Sequence, residues 1–227
     1  MILPVAIAFG FFLLAHRNLP LAAALILFLL PIYQWRLTVL GVPSTVLELL
    51  VLVLFATWVF RRIRHGGRPL SRIPWRWAAL LFLLSAVVAI FVSPDRISAL
   101  GYFKAYILEP ILFFLVLWDT IQEERQVRIL LFAIGAASLI LSIIAFAQYL
   151  GFVPSPEPWI LETPKRVASL LEYPNALGLL LVPVIALFSV FFLIPVRETD
   201  PQKRFIRWFP IGVVFFGVLS LLFVVSR

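Results

Sequence analysis

Ile129-Leu130-Leu131-Phe132-Ala133-Ile134-Gly135-Ala136-Ala137-Ser138-Leu139-Ile140-Leu141-Ser142-Ile143-Ile144-Ala145-Phe146-Ala147 is a run of nineteen residues without a charge. Its reading decides the fold. A bilayer core of about 30 Å is crossed by roughly 20 apolar residues in a helix, and a helix satisfies its backbone polar groups within its own segment, as lipid requires. Working outward, this run belongs to a predicted span from Val127 to Gly151, and five further stretches read alike. They are Pro43 to Phe60, Trp75 to Val92, Gly101 to Trp118, Pro174 to Ile194 and Trp208 to Val225. Two shorter runs, Ile2 to Ala15 and Leu19 to Trp35, precede them and are split by His16-Arg17-Asn18. They read as two spans, or as one helical hairpin that does not fully cross.

Composition supports lipid as the solvent. The chain is 63% hydrophobic and 13% charged, with mean hydropathy +1.08, where soluble domains hold about 45–50% apolar and 25% charged residues. The expectation is an all-α, polytopic integral membrane protein of about eight transmembrane helices. A single helical domain would cover residues 1–227, with no substantial soluble part. The N-terminus lacks a basic region and a small-residue cleavage site, which argues against a removable signal peptide.

The net charge of +8 and pI near 10.6 do not point to nucleic acid, because the basic residues fall between apolar runs. Lys and Arg accumulate in cytoplasmic loops. Alternating spans put Arg17, Arg61, Arg62, Arg64, Arg68, Arg72, Arg76, Arg125, Arg128, Arg197, Lys203, Arg204 and Arg207 on one side. Arg36, Arg96, Lys104, Lys165, Arg166 and Arg227 fall on the other, so the thirteen mark the cytoplasm. The N-terminus is then outside if both early runs cross. All seven tryptophans lie near predicted span ends, where amphipathic rings favour the headgroup region.

Few polar residues remain to carry chemistry. Lys165-Arg166 stands shortly before Pro174-Asn175, and Pro is suited to the first turn of a helix. Free N–H groups and the positive dipole end there favour an anion, above all a phosphate. Arg166 adds a fork that grips phosphate bidentately. An interfacial loop touching lipid headgroups would carry the same residues. Lys104 and Glu109 form a second candidate, since ionisable groups inside a span default to function. Their spacing of five suits a helical ion pair poorly, although Pro110 can distort the turn. A structural bridge, or a snorkelling Lys104, is the plainer reading. Glu48, one turn into its span, is either a proton-handling group or a cap.

Other chemistries fall away. Cysteine is absent, and neither His16 nor His65 has a partner at metal-ligand spacing, so no metal and no cofactor is expected. Gly66-Gly67 is a lone flexible pair rather than a phosphate loop. Asp119, Glu123 and Glu124 before Arg125 and Arg128 read as a solvated connection.

The stretch Arg166-Val167-Ala168-Ser169-Leu170-Leu171-Glu172-Tyr173-Pro174-Asn175-Ala176-Leu177-Gly178 resembles the outer-loop-to-helix signature of bacterial O-antigen ligases and related polysaccharide polymerases. The terminal Ser226-Arg227 and, more softly, Gly41-Val42-Pro43 with Glu48-Leu49-Leu50 are similar to further elements of that family. The resemblance implies a metal-independent glycosyltransferase of the bacterial inner membrane, its site facing outward. Such an enzyme passes a glycan from an undecaprenyl-diphosphate carrier to a lipid or saccharide hydroxyl. Arg166 and Arg227, with Lys165, would face the diphosphate, and Asn175 would orient the site. The family's proposed base is a histidine in a large external loop. This sequence has no external histidine, so none of its residues is assigned as catalytic. On this reading the chain is the N-terminal part of a longer protein and does not turn over alone. A transporter or lipid flippase using Glu48 and Glu109, or a non-catalytic membrane subunit, would fit the same hydropathy.

Overall fold

The computed structural model describes residues 2–39, 42–67, 73–74, 76–161, 165–192 and 201–224. Arg227, Arg68, Arg72 and Arg197 lie outside them. The structure is mostly helical, at 82%, and among the described residues three helical stretches are long and apolar enough to cross a membrane: Arg96–Thr120, Glu124–Leu150 and Pro174–Phe192. The chain divides into two compact units.

The first unit holds residues 1–26 and 35–130. Helix α1 (Ile2–Arg17) and α2 (Leu19–Phe28) are separated by Asn18 alone. Its side chain accepts a bond from the Leu21 N–H at 3.0 Å, so it caps α2 as Asn favours. The ten residues of α2 rise only about 15 Å, half of a hydrocarbon core. The expected span from Leu19 to Trp35 is therefore shorter than hydropathy alone suggested. The chain leaves the helix before Pro31 and forms a strand pair, β1 (Arg36–Val39) antiparallel to β2 (Val42–Thr45), with Arg36 opposite Thr45. Strands were not expected here. Thr38, Val39, Val42 and Thr45 are β-branched and suit a pleated backbone, and the span expected to start at Pro43 begins as a strand there.

Helix α3 (Val46–His65) begins instead at a cap: the Thr45 hydroxyl oxygen accepts from the Glu48 N–H at 3.1 Å. It ends at Gly66, whose φ of +74° is left-handed and costs glycine nothing. Gly67 is equally specific. A Cβ there would collide with the Arg62 guanidinium and come within 2.7 Å of Asp119 Oδ2. The pair is a close-fitting helix stop rather than a flexible link. After α4 (Arg76–Val92) the chain enters α5 (Arg96–Phe103), capped by Asp95. Hydrogen bonds from the Ser98 hydroxyl and amide hold the Asp95 carboxyl below the usual carboxylate range. This Asp-x-x-Ser cap starts the helix five residues before the expected Gly101.

A π turn over Lys104–Leu108 leads into α6 (Glu109–Thr120). The Glu109 N–H bonds the Lys104 carbonyl. Pro110 explains the wide turn, because its ring crowds the carbonyl four residues back in a regular helix. Helices α3 and α6 pack on each other and are tied at both ends. Lys104 Nζ meets Glu48 Oε1 at 2.8 Å, and Arg62 Nη1 meets Asp119 Oδ2 at 2.9 Å. Start meets start and end meets end, so the two run parallel, with α4 as the segment between them.

The second unit holds residues 27–34 and 131–227. Most of α7 (Glu124–Leu150) lies in it, with α8 (Pro174–Ser189) and α9 (Pro201–Val224). Helix α7 buries Ala133, Gly135, Ala137, Ser138, Ser142 and Ala145. Small residues let helices approach closely in lipid, where no hydrophobic force holds them. At Gly135 a Cβ would lie 2.6 Å from the Phe188 ring and 2.8 Å from the Phe209 ring. Helix α8 buries Pro174, Leu177, Leu181, Val184 and Phe188, one face at helical spacing, and packs on α9. Leu141, Ala145, Val167, Leu171, Leu177, Leu181 and Val224 form one core cluster of this unit.

Candidate functional site

The residues before α8 form a fixed loop. Val167, Ala168, Ser169 and Leu171 are buried, and the Val167 N–H bonds the Phe223 carbonyl at 3.3 Å. Ser169 has φ +56°, uncommon for a residue with a side chain. Gln148, inside α7 and 2% exposed, holds it there. The Ser169 N–H donates to Gln148 Oε1 at 2.8 Å. Gln148 Nε2 donates to the Ser169 carbonyl at 3.0 Å and to that of Pro154 at 3.2 Å. The Ser169 hydroxyl donates to the Leu141 carbonyl at 2.7 Å.

This loop aims Arg166. Its Nη2 donates to Asn175 Oδ1 at 2.9 Å, and its Nε donates to the Val224 carbonyl at 3.1 Å. The guanidinium lies over the Trp159 ring, 5.2 Å from the centroid, while the Trp159 indole donates to the Glu172 carbonyl at 3.0 Å. Asn175 is the second residue of α8, behind an extended Tyr173 that makes no side-chain cap. Arg166 and Asn175 therefore meet at a helix start. Arg166 also serves the last turn of α9, where carbonyls lack helical donors. Lys165 diverges: its Nζ donates to the Gln148 carbonyl at 2.8 Å, in the last turn of α7. Arg227, the fourth residue expected at a diphosphate, lies outside the described residues.

In the first unit, Lys104 pairs with Glu48 across two helices rather than with Glu109 along its own. Glu48 is buried, and the Lys104 side chain is 36% exposed. Glu109 is half-buried, with Oε1 sealed from solvent and without a hydrogen-bond partner among the described residues. Thr45-Val46-Leu47-Glu48 is a T-x-x-E signature before an apolar run, the pattern of a capping box. It would have assigned the helix start, though not the partner of Glu48, which turns from the cap to Lys104.

At the opposite end of α3 and α6, Asp119 is buried, accepts a hydrogen bond from Trp58 Nε1 at 2.8 Å and is ion-paired with Arg62. The Arg62 guanidinium also lies over the Trp58 ring at 5.3 Å. A cavity of about 190 Å³ lined by these three side chains, Arg61 and His65 opens beside them. Asp119 was expected in a solvated connection. The structure corrects this, because α6 continues to Thr120 and carries Asp119 inside the packing.

No protein-family model matches the chain, and no curated protein or solved structure matches it either.

Proposed function

We propose that this chain is a multi-pass protein of a bacterial inner membrane, with about eight transmembrane helices, that binds an undecaprenyl-diphosphate-linked glycan at its outer side. There it serves the transfer of that glycan to a lipid or saccharide hydroxyl, in the manner of O-antigen ligases and polymerases. The observation that carries this reading is the Arg166–Asn175 contact at 2.9 Å on the first turn of α8. A guanidinium fixed over an aromatic ring, next to the positive end of a helix, is a pre-organised partner for a diphosphate. As the glycan leaves, charge builds on the diphosphate, and a cation already in place stabilises it without reorganisation. The group that activates the acceptor hydroxyl is not among the residues assigned to this site. The orientation draws support from α3 and α6, which run parallel with Arg62 and its neighbouring cations at one shared end, as the positive-inside rule would have it.

The test is undecaprenyl diphosphate binding to the purified chain in nanodiscs. Arg166→Ala is expected to weaken it about 10–100-fold, the worth of a charge-assisted hydrogen bond of roughly 1.5–3 kcal/mol. Arg166→Lys should recover part of the loss, and undecaprenol should bind both proteins alike. If Arg166→Ala keeps native helicity and wild-type affinity, the diphosphate site is elsewhere.

A further inference from the structure

The Glu48, Lys104 and Glu109 cluster does not balance its charges: it has two carboxyls and one ammonium. Lys104 is committed to Glu48 at 2.8 Å. Glu109 keeps one oxygen that is sealed from solvent and meets no donor among the described residues. An ionised carboxylate only accepts hydrogen bonds. The sealed oxygen, without a donor, loses its hydration and gains nothing in exchange.

Among the described residues, the surrounding elements bring no second cation. Helix α3 contributes Glu48 at this end, and α1, packed on α3, is uncharged until His16 and Arg17 in its last turn. Helix α4, in contact with the π turn, has no charged side chain after Arg76 at its start. Arg96 on α5 and Arg36 on β1 are exposed.

A proton removes the charge without needing the oxygen shell that a metal cation demands. It also turns the carboxyl into a donor. We propose that Glu109 is a proton-binding site, holding a neutral carboxylic acid at neutral pH beside the Lys104–Glu48 pair. The site lies apart from Arg166 and does not depend on the glycan-transfer reading.

Dicyclohexylcarbodiimide, which adds to protonated carboxyls in apolar surroundings, tests this on the purified chain in nanodiscs at pH 7, with the adduct located by peptide mass spectrometry. The expected result is an adduct on Glu109, none above background on exposed Glu123 and Glu124, and loss of the adduct in Glu109→Gln. Infrared spectroscopy covers the case in which the reagent fails to reach the site. Wild type minus Glu109→Gln should show the C=O stretch of a protonated carboxyl. A carboxylate stretch in its place overturns the proposal.

Discussion

Arg62→Ala is expected to destabilise the first unit by about 3–5 kcal/mol, the cost of removing one partner from a buried ion pair. The pair sits at 2.9 Å, with side-chain exposures of 22% for Arg62 and 9% for Asp119. Without Arg62, the Asp119 carboxylate keeps the Trp58 N–H at 2.8 Å and loses this ion pair. The guanidinium's stacking over Trp58 is lost at the same time. Thermal denaturation in nanodiscs measures the effect. The double variant Arg62→Met with Asp119→Leu removes both charges and should recover most of the loss, since apolar replacement of a whole buried pair is often neutral or stabilising. A melting temperature unchanged by Arg62→Ala would mean that water reaches Asp119 and screens it.

That ion pair marks where the sequence became hard to read. Hydropathy placed the apolar segments because lipid imposes a length and an apolar composition that few other solvents would. The bounds of α7 and the start of α8 at Pro174 were legible for that reason. Hydropathy does not report which polar residues at a segment's end face inward. Asp119 resembled its solvated neighbours Glu123 and Glu124, yet it sits one turn earlier, within α6. Lys104 and Glu109 were considered as a pair along one helix. The partner came instead from α3, a long-range contact that spacing cannot encode. Local chemistry would have helped in two places. The T-x-x-E pattern at Thr45 marks the start of α3, and Asp95 with Ser98 marks the start of α5. Gly66-Gly67 is different again: a glycine that ends a helix and one that lets an ion pair approach look the same in sequence as a loose link.

Gln148 is the residue whose loss should most disturb the second unit. Gln148→Leu keeps the side chain's approximate size but strands the buried Ser169 N–H and carbonyl, which Gln148 bonds at 2.8 and 3.0 Å. Each buried group left unpaired costs about 1–3 kcal/mol, so a total near 3–5 kcal/mol is expected. That exceeds what the Val167–Phe223 backbone bond and the Ser169–Leu141 bond can offset. Because both backbone bonds of the left-handed Ser169 go to Gln148 and only its hydroxyl bond to Leu141 remains, the loop should release and take Arg166 away from Asn175. The chain has no cysteine, so Val167→Cys gives a clean reporter at a position with no exposure. Maleimide should leave that thiol unlabelled in an otherwise wild-type chain and label it when Gln148→Leu is added. Gln148→Glu should fall between them, since a carboxylate still accepts from the Ser169 N–H but donates to no carbonyl. If the reporter thiol stays protected in the Gln148→Leu background, the loop is held by its apolar packing against Leu141, Leu177 and Val224, and Arg166 owes its position to that packing.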